Sequence, residues 1–196
     1  LITSGGVLTF ASAPDYETKS SYSATVTSTD GTNSTTQNIT VNVTDIDDVA
    51  PVFISNSSFS AAENQTAIGP VTATDVDTDN GLITFEVSGS ELLITSGGVL
   101  TFASAPDYET KSSYSATVTA TDGINSTTQN ITVAVTDAND VAPVFTSNSS
   151  FSAAENQTAI GPVTATDVDT DNGLITFEVS GSELLITSGG VLTFAS

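Results

Sequence analysis

The sequence predicts an all-β protein built from tandem Greek-key β-sandwich domains. Three observations predict this fold class. Apolar and polar residues alternate with a period of two over many segments, and turn-forming residues separate those segments. No segment shows a convincing helical period. The chain also repeats itself at a spacing that suits a small domain.

The strand signals follow one another closely along the chain. Less polar residues share one face in residues 114–120, apolar residues alternate in 131–136, and shorter runs occupy 71–74 and 83–87. The turn signals between the runs are Asn80-Gly81, Gly97-Gly98, Ala105-Pro106-Asp107 and Asp122-Gly123. About seven short strands in roughly 90–100 residues is typical of an immunoglobulin-like sandwich.

The repeat has a period of 92 residues. Residues 1–104 align without gaps with residues 93–196. The six differences are Ser28/Ala120, Thr32/Ile124, Asn42/Ala134, Ile46/Ala138, Asp47/Asn139 and Ile54/Thr146. This period is too long for a solenoid unit and suits a whole domain. We predict the C-terminal part of a repeat at 1–48, a complete repeat at 49–140 and the N-terminal part of a repeat at 141–196. Because the outer two are partial, we expect neighbouring chain to complete them.

The charge balance narrows the possible partners. The chain has 23 acidic residues, two lysines and no arginine or histidine, for a net charge of −21. It lacks the basic footprint that nucleic acids and anionic lipids require. No apolar run is long enough to span a membrane, and the absence of cysteine excludes disulfides. A compact fold with this charge strains against self-repulsion, and divalent cations would neutralise it.

Acidic residues cluster in loops and at strand ends. The clusters of one repeat contain Glu63; Asp75, Asp77 and Asp79; Asp107 and Glu109; Asp122; and Asp137 and Asp140. Hard divalent cations bind six to eight oxygen ligands, which such clusters supply. Taken alone, Asp122-Gly123 indicates a turn and Glu63 a surface residue. The cluster at Asp75 has EF-hand-like spacing, but its glycine falls at the seventh rank instead of the sixth and no helices flank it, so we reject an EF-hand.

The order of these motifs resembles the cadherin repeat. Ala-Glu-Asn, Asp-x-Asp with Asn-Gly, Pro-Asp-Tyr-Glu, Ala-Thr-Asp-Gly and Asp-x-Asn-Asp-x-x-Pro-x-Phe follow one another, and the resemblance covers the whole chain. It implies calcium ions held between each domain, its linker and the next domain. The two linkers of this chain are residues 45–49 and residues 137–141.

The resemblance implies a set of calcium ligands for each linker. The set for the first linker is Asp15, Glu17, Asp45, the Ile46 carbonyl, Asp47, Asp48, the Val49 carbonyl, Asp75, Asp77, Asn80 and Asp122. The set for the second linker is Glu63, Asp107, Glu109, Asp137, the Ala138 carbonyl, Asn139, Asp140, the Val141 carbonyl, Asp167, Asp169 and Asn172. Val49 and Val141 replace a family asparagine whose role would be through its backbone carbonyl. Asp47 replaces a more usual asparagine and makes the first linker more anionic.

The sequence is compatible with two functions, both of them extracellular. The first is an extender segment of a calcium-rigidified adhesin or surface fibre, as in large bacterial surface adhesins, whose partners are neighbouring repeats. The second is a module for direct, homophilic, calcium-dependent adhesion, although the chain has none of the tryptophan that classical cadherins exchange. The absence of histidine and cysteine, together with a metal-binding explanation for each acidic cluster, disfavours an enzyme.

Overall fold

The computed structural model describes residues 1–195 and confirms the all-β prediction. Within these residues the regular structure consists of sixteen β-strands and two three-residue 3-10 turns, Asn80–Leu82 and Asn172–Leu174. No helix in this range is long and apolar enough to cross a membrane. The strands are β1 (Ser21–Thr29), β2 (Ser34–Asn42), β3 (Val52–Phe53), β4 (Ser58–Ala62), β5 (Ala67–Pro70), β6 (Ala73–Thr74), β7 (Thr84–Val87), β8 (Leu92–Ile94), β9 (Val99–Phe102), β10 (Ser113–Thr121), β11 (Ser126–Thr136), β12 (Val144–Phe145), β13 (Ala159–Pro162), β14 (Ala165–Thr166), β15 (Leu184–Ile186) and β16 (Val191–Phe194).

The chain forms two compact units. The first contains Leu1–Phe59, Ala67–Ala103 and Ser115–Thr132, and the second contains Ser60–Thr66, Ser104–Tyr114 and Val133–Ser196. The residues of the first linker and their hydrogen-bond partners lie in the first unit, and those of the second linker lie in the second. The repeat boundaries proposed from the sequence stay a prediction.

The middle repeat contains the largest sheet, with strand order β4-β11-β10-β7. A second sheet has the order β5-β9-β8, and β3 pairs with β6. Strands that are distant in sequence are therefore neighbours, as in a Greek-key sandwich. Strand β10 runs antiparallel to β7 and places Ala120 opposite Phe85.

The core of the first unit follows the predicted alternation. Leu92, Leu100, Phe102, Val118 and Ile131 are almost completely buried there. In the second unit, Val133 and Val135 are buried and Ala134 between them is exposed. Position 134 therefore lies on the solvent face of the sheet. The repeat therefore tolerates the Asn42/Ala134 difference at little cost.

One turn glycine is required by its close contacts. Gly98 has a φ of 86°, and a Cβ added there would lie 2.2 Å from the carbonyl oxygen of Val71. The amide of Val71 also donates a hydrogen bond to the Gly98 carbonyl oxygen at 2.8 Å. A side chain at this position would break the approach of the two segments. The Gly97-Gly98 turn signal thus reflects backbone packing as well as backbone conformation.

Identical sequences have different burial in the complete and the partial repeats. Leu100 is 0% exposed, whereas Leu8, its counterpart one period earlier, is 49% exposed. Phe102 is buried and Phe10 is exposed in the same way. The difference arises because Leu100 lies in β9, which pairs with β5 and β8, whereas Leu8 forms only an isolated bridge with Ile2. A partial repeat therefore leaves its apolar face open.

This contrast predicts unequal effects from the same substitution. Leu100→Ala should lower the free energy of unfolding of the middle repeat by about 2–5 kcal/mol, because it removes buried methyl groups and leaves a cavity. Leu8→Ala should cost less than about 1 kcal/mol, because half of the side chain is already in solvent. Urea unfolding of both variants measures the two effects, and equal destabilisation would contradict the burial difference.

Candidate metal centres

The first candidate centre lies where the first linker meets the loop that follows β6. The linker amides of Asp48 and Val49 both donate to Oδ2 of Asp77, at 3.1 and 2.8 Å. Carboxylate oxygens of Glu17, Asp45 and Asp77 lie within 4.8 Å of one another. Three separate segments therefore bring their negative charges to one place.

Internal hydrogen bonds shape the loop of residues 75–80. Oδ1 of Asp75 accepts from the amides of Asp77 and Thr78, at 2.8 and 3.0 Å. Oδ1 of Asn80 accepts from the amide of Asp75 at 2.8 Å, and Asp79 caps the following 3-10 turn. These bonds use one oxygen of Asp75 for local structure. Its other oxygen is left for a different partner.

The second oxygens of several aspartates are buried and have no hydrogen-bond partner. In the first unit they are Oδ2 of Asp75, Oδ1 of Asp77 and Oδ2 of Asp122. Oδ1 of Asp122 accepts from the amides of Ile124 and Asn125, both at 2.6 Å, which aims the other oxygen away from the turn. A buried anionic oxygen without a partner is costly, so each of these atoms calls for a cation or another donor.

The second candidate centre repeats this arrangement in the second unit. The amides of Asp140 and Val141 donate to Oδ2 of Asp169, at 2.9 and 2.6 Å, and Oδ1 of Asp169 is buried without a partner. Oxygens of Glu63, Asp107 and Glu109 form one close group. Oxygens of Glu109, Asp140 and Asp169 form another, so Glu109 belongs to both.

Glu63 is the one buried charged residue among those described. It is 4% exposed, and its two carboxylate oxygens accept from the amides of Ala138 and Tyr108, at 2.6 and 2.7 Å. The interpretation of Glu63 as a surface residue is therefore wrong. Its carboxylate ties the second linker to the loop at Asp107, which no local sequence pattern indicates.

Some polar residues at these centres are not among the sequence-predicted ligands. Nδ2 of Asn125 donates to Oδ1 of Asp47 at 2.8 Å, and Oγ1 of Thr78 donates to Oδ2 of the same residue at 3.0 Å. Asn64 donates to Asp140. Asn64 lies in the Ala-Glu-Asn motif, but Asn125 is 78 residues from Asp47, so only the folded chain reveals that contact.

Other sequence-predicted ligands have local roles in the structure. Asp15 accepts from the amide and the hydroxyl of Thr18, at 3.0 and 2.9 Å, and belongs to none of the close groups found among the described residues. Asp107 makes the same pair of bonds with Thr110 yet also joins a group. Asn172 stabilises its loop as Asn80 does, because its Oδ1 accepts a hydrogen bond from the amide of Asp167 at 3.0 Å.

Crowding of carboxylates raises the pKa of several of them. Desolvation, with the nearby charges of Glu63 and Asp169, raises the pKa of Glu109 to about 7. The pKa of Glu17 is lowered by its own backbone amide but raised more by desolvation and Asp77, to about 7. Desolvation and the charge of Asp169 also raise the pKa of Asp137. The negative charges at both centres therefore repel one another when no cation is bound.

The donor set fits a hard divalent cation. The clustered side chains offer carboxylate oxygens, and the chain contains no histidine or cysteine that would favour a softer metal. The unpartnered oxygens of Asp75, Asp77, Asp122 and Asp169 lie in these clusters or in the loops beside them. These residues would hold the cation, and the linker amides already orient two of them.

The family model of the cadherin domain matches residues 57–136. The middle repeat of this chain therefore matches a cadherin domain. Its relatives include the mouse Cadherin EGF LAG seven-pass G-type receptor 1, which is 34% identical over 91% of this chain, and the Drosophila melanogaster Protocadherin-like wing polarity protein stan, which is 34% identical over 72%. The chain spans 6% and 4% of the length of these two relatives.

Solved cadherin structures share this fold. The Protocadherin gammaB7 EC3-6 cis-dimer structure has a TM-score of 0.73 and 27% identity, over 92% of this chain and 53% of that chain. The Protocadherin GammaB4 extracellular domain has a TM-score of 0.71 and 27% identity, over 98% and 35%. The comparisons support eukaryotic-type cadherin repeats and not the bacterial adhesins suggested from the sequence. Cadherin domains are extracellular adhesion modules that generally bind calcium and are not enzymes.

The raised pKa of Glu109 predicts how pH acts on the cadherin-like chain in chelator. The carboxyl binds a proton up to about pH 7 in the folded state but only up to about 4.5 when unfolded, so its effect is to make folding more favourable as pH falls through 7. The pKa values of Asp15 and Asp30 are lowered from 3.8, so these two carboxyl groups do not titrate between pH 8 and pH 5. Thermal unfolding from pH 8 to pH 5 should show a rising midpoint.

Glu109→Gln is the control for this prediction. Glutamine removes the titrating group and one negative charge, so the rise between pH 8 and pH 5 should be smaller in the variant. A wild-type midpoint that falls over the same range, or an unchanged rise in the variant, would contradict the assignment to Glu109.

Proposed function

We propose that this chain is a calcium-rigidified extracellular spacer in which cations fix each linker to the sandwich that follows it. The observation that carries the proposal is that, at each linker, the two oxygens of one carboxylate have different environments. One oxygen of Asp77 or Asp169 accepts two linker amides, while the other oxygen is buried and unpartnered. A cation on the free oxygen would lock a contact that the amides already begin.

The charge of the repeat supports a cation requirement. Residues 51–142 contain 11 acidic residues and one lysine, for a net charge of −10 over one period. Bare carboxylates only a few ångströms apart repel strongly in a partly desolvated site. Each calcium ion adds two positive charges and coordinates several oxygens at once. Binding therefore replaces repulsion between segments by shared coordination.

The ligand assignment is part of the proposal. At the first linker we assign Glu17, Asp45, Asp75, Asp77 and Asp122, because each has an oxygen that is either clustered or unpartnered. At the second linker we assign, for the same reason, Glu63, Asp107, Glu109, Asp140 and Asp169. The remaining members of the two sequence-predicted sets, including Asp47, Asn139 and the Val49 and Val141 carbonyls, complete the proposed coordination.

Direct homophilic adhesion is the second candidate. It is favoured by the adhesive role of cadherin domains and by a structural neighbour described as a cis-dimer. Beads coated with the chain distinguish the two functions. Clumping that requires calcium supports adhesion between chains, whereas calcium-dependent stiffening without clumping supports the spacer.

The spacer proposal predicts a specific loss of calcium binding in Asp169→Asn. Asparagine keeps one oxygen for the linker amides but removes the charge that the cation requires, so affinity at the second linker should fall at least about tenfold. Isothermal titration calorimetry with calcium measures the change at both linkers.

Asp171→Asn is the matched control, two residues away. Asp171 caps the 3-10 turn through the amide of Gly173, and its charge lies outside the close groups. We expect calcium binding close to wild type in this variant. Equal losses in the two variants would show that general charge in the loop, and not coordination by Asp169, governs binding.

A further inference from the structure

Asn64 has an unusual backbone conformation beside the second linker. Its φ is 61°, and the only other non-glycine residue with a positive φ in the described part of the chain is Asn156, one period later, at 66°. This left-handed region is costly for most side chains, and asparagine is one of the few residues that tolerate it. Because identical residues adopt the conformation twice, the local sequence favours it.

The chain changes its hydrogen-bond partner between Glu63 and Asn64. These two residues form a turn directly after β4. The amide of Glu63 donates to the carbonyl oxygen of Thr136, the last residue of β11, at 3.2 Å. The amide of Asn64 donates instead to the carbonyl oxygen of Pro106 at 3.0 Å. The turn therefore leaves the sheet and contacts the loop that contains Asp107.

Two consecutive side chains contact the same linker because of this turn. In an extended strand, neighbouring side chains point to opposite faces, so only one of the two could reach the linker. Here Oε1 of Glu63 accepts from the backbone amide of Ala138, and Nδ2 of Asn64 donates to Oδ2 of Asp140, two residues further along. The left-handed conformation of Asn64 brings both side chains to one side of the chain.

Asp140 is held by two hydrogen bonds from different directions. Its backbone amide donates to Oδ2 of Asp169 at 2.9 Å, and its carboxylate accepts from Asn64. One oxygen of Asp140 lies in a close group with oxygens of Glu109 and Asp169. The terminal torsion of an aspartate is broad, and the hydrogen bond from Asn64 restricts it. The carboxylate is therefore fixed relative to the neighbours with which it would share a cation.

The donor in this contact is a neutral amide. Because its N–H donates to an anionic oxygen, it offsets part of the repulsion between Asp140 and its neighbours Glu109 and Asp169. A lysine ammonium at the same place would stabilise the carboxylate too, but its positive charge would repel a divalent cation. The Asn64 amide thus orients the carboxylate without competing with the cation.

We propose that Asn64 is a positioning residue of the second linker. Its left-handed backbone places its amide against Asp140, and the amide orients that carboxylate toward Glu109 and Asp169. Asn64 is not itself a metal ligand in this proposal. Its role in calcium binding rests on the spacer function proposed above, whereas the contact with Asp140 needs no cation, since both partners belong to the chain.

Two substitutions separate the backbone of Asn64 from its side chain. Glycine adopts a positive φ without strain, so Asn64→Gly removes the amide and keeps the turn. Alanine is strained in this conformation, so Asn64→Ala loses both. Asn64→Ala should therefore unfold at a lower temperature than Asn64→Gly, whereas the two variants should lose calcium affinity equally. If Asn64 had only a structural role, the loss of affinity would instead follow the loss of stability.

Isothermal titration calorimetry with calcium measures the loss at each linker. Both variants should bind calcium about three- to tenfold more weakly at the second linker, which is the effect of one hydrogen bond, and normally at the first. Gln65→Ala changes the exposed neighbouring residue and should bind calcium as the wild type does. Wild-type affinity in Asn64→Gly would overturn the positioning role, and so would equal losses at the two linkers.

A measurement in chelator tests the contact apart from the spacer function. By NMR, the side-chain amide protons of Asn64 should exchange with water more slowly than those of Gln65, and Asp140→Ala should remove this difference. Equal exchange rates in the wild type would overturn the contact. If the wild-type chain binds no calcium at the second linker, the spacer function fails and with it the role of Asn64 in calcium binding, whereas slow exchange would show that the contact with Asp140 still forms.

Discussion

The crowding of carboxylates at each linker is the constraint on which the rest of this structure depends. Glu109 belongs to two close acidic groups, and its pKa is raised to about 7 by desolvation and the charges of its neighbours. Hydrogen bonds from linker amides to Asp77 and Asp169 hold the negative groups together despite their repulsion. In the proposed spacer, the remaining buried oxygens would hold cations, and the arrangement that destabilises the bare linker would then stiffen it.

Much of the fold could be predicted from the sequence, because the strands of the middle repeat alternate regularly. Ala134 is exposed between two buried valines, and the Gly97-Gly98 turn is present. The same reasoning could not predict that residues 176–179 lose the strand that identical residues form as β7. Strand formation depends on the neighbouring strand, which lies far away in sequence. Local pattern therefore predicts the capacity to form a strand and not its partner.

At the candidate centres, too, some features could be predicted from the local sequence and others depend on distant segments. The order of acidic motifs led to the correct family, and the structure brings Glu17, Asp45 and Asp77 together, as well as Glu109, Asp140 and Asp169. The burial of Glu63 and the contact of Asn125 with Asp47 could not be predicted, since they depend on segments about 75 residues apart. Residues that orient a site from a distance leave little trace in a single sequence.

A crystal structure grown in calcium would show whether the linkers bind the ion. We expect calcium density at both linkers, with Oδ1 of Asp77 and Oδ1 of Asp169 about 2.3–2.6 Å from an ion. If these two oxygens instead contact only water or protein donors while calcium is abundant in the crystal, the linkers are not calcium centres. The unpartnered carboxylates would then need another explanation.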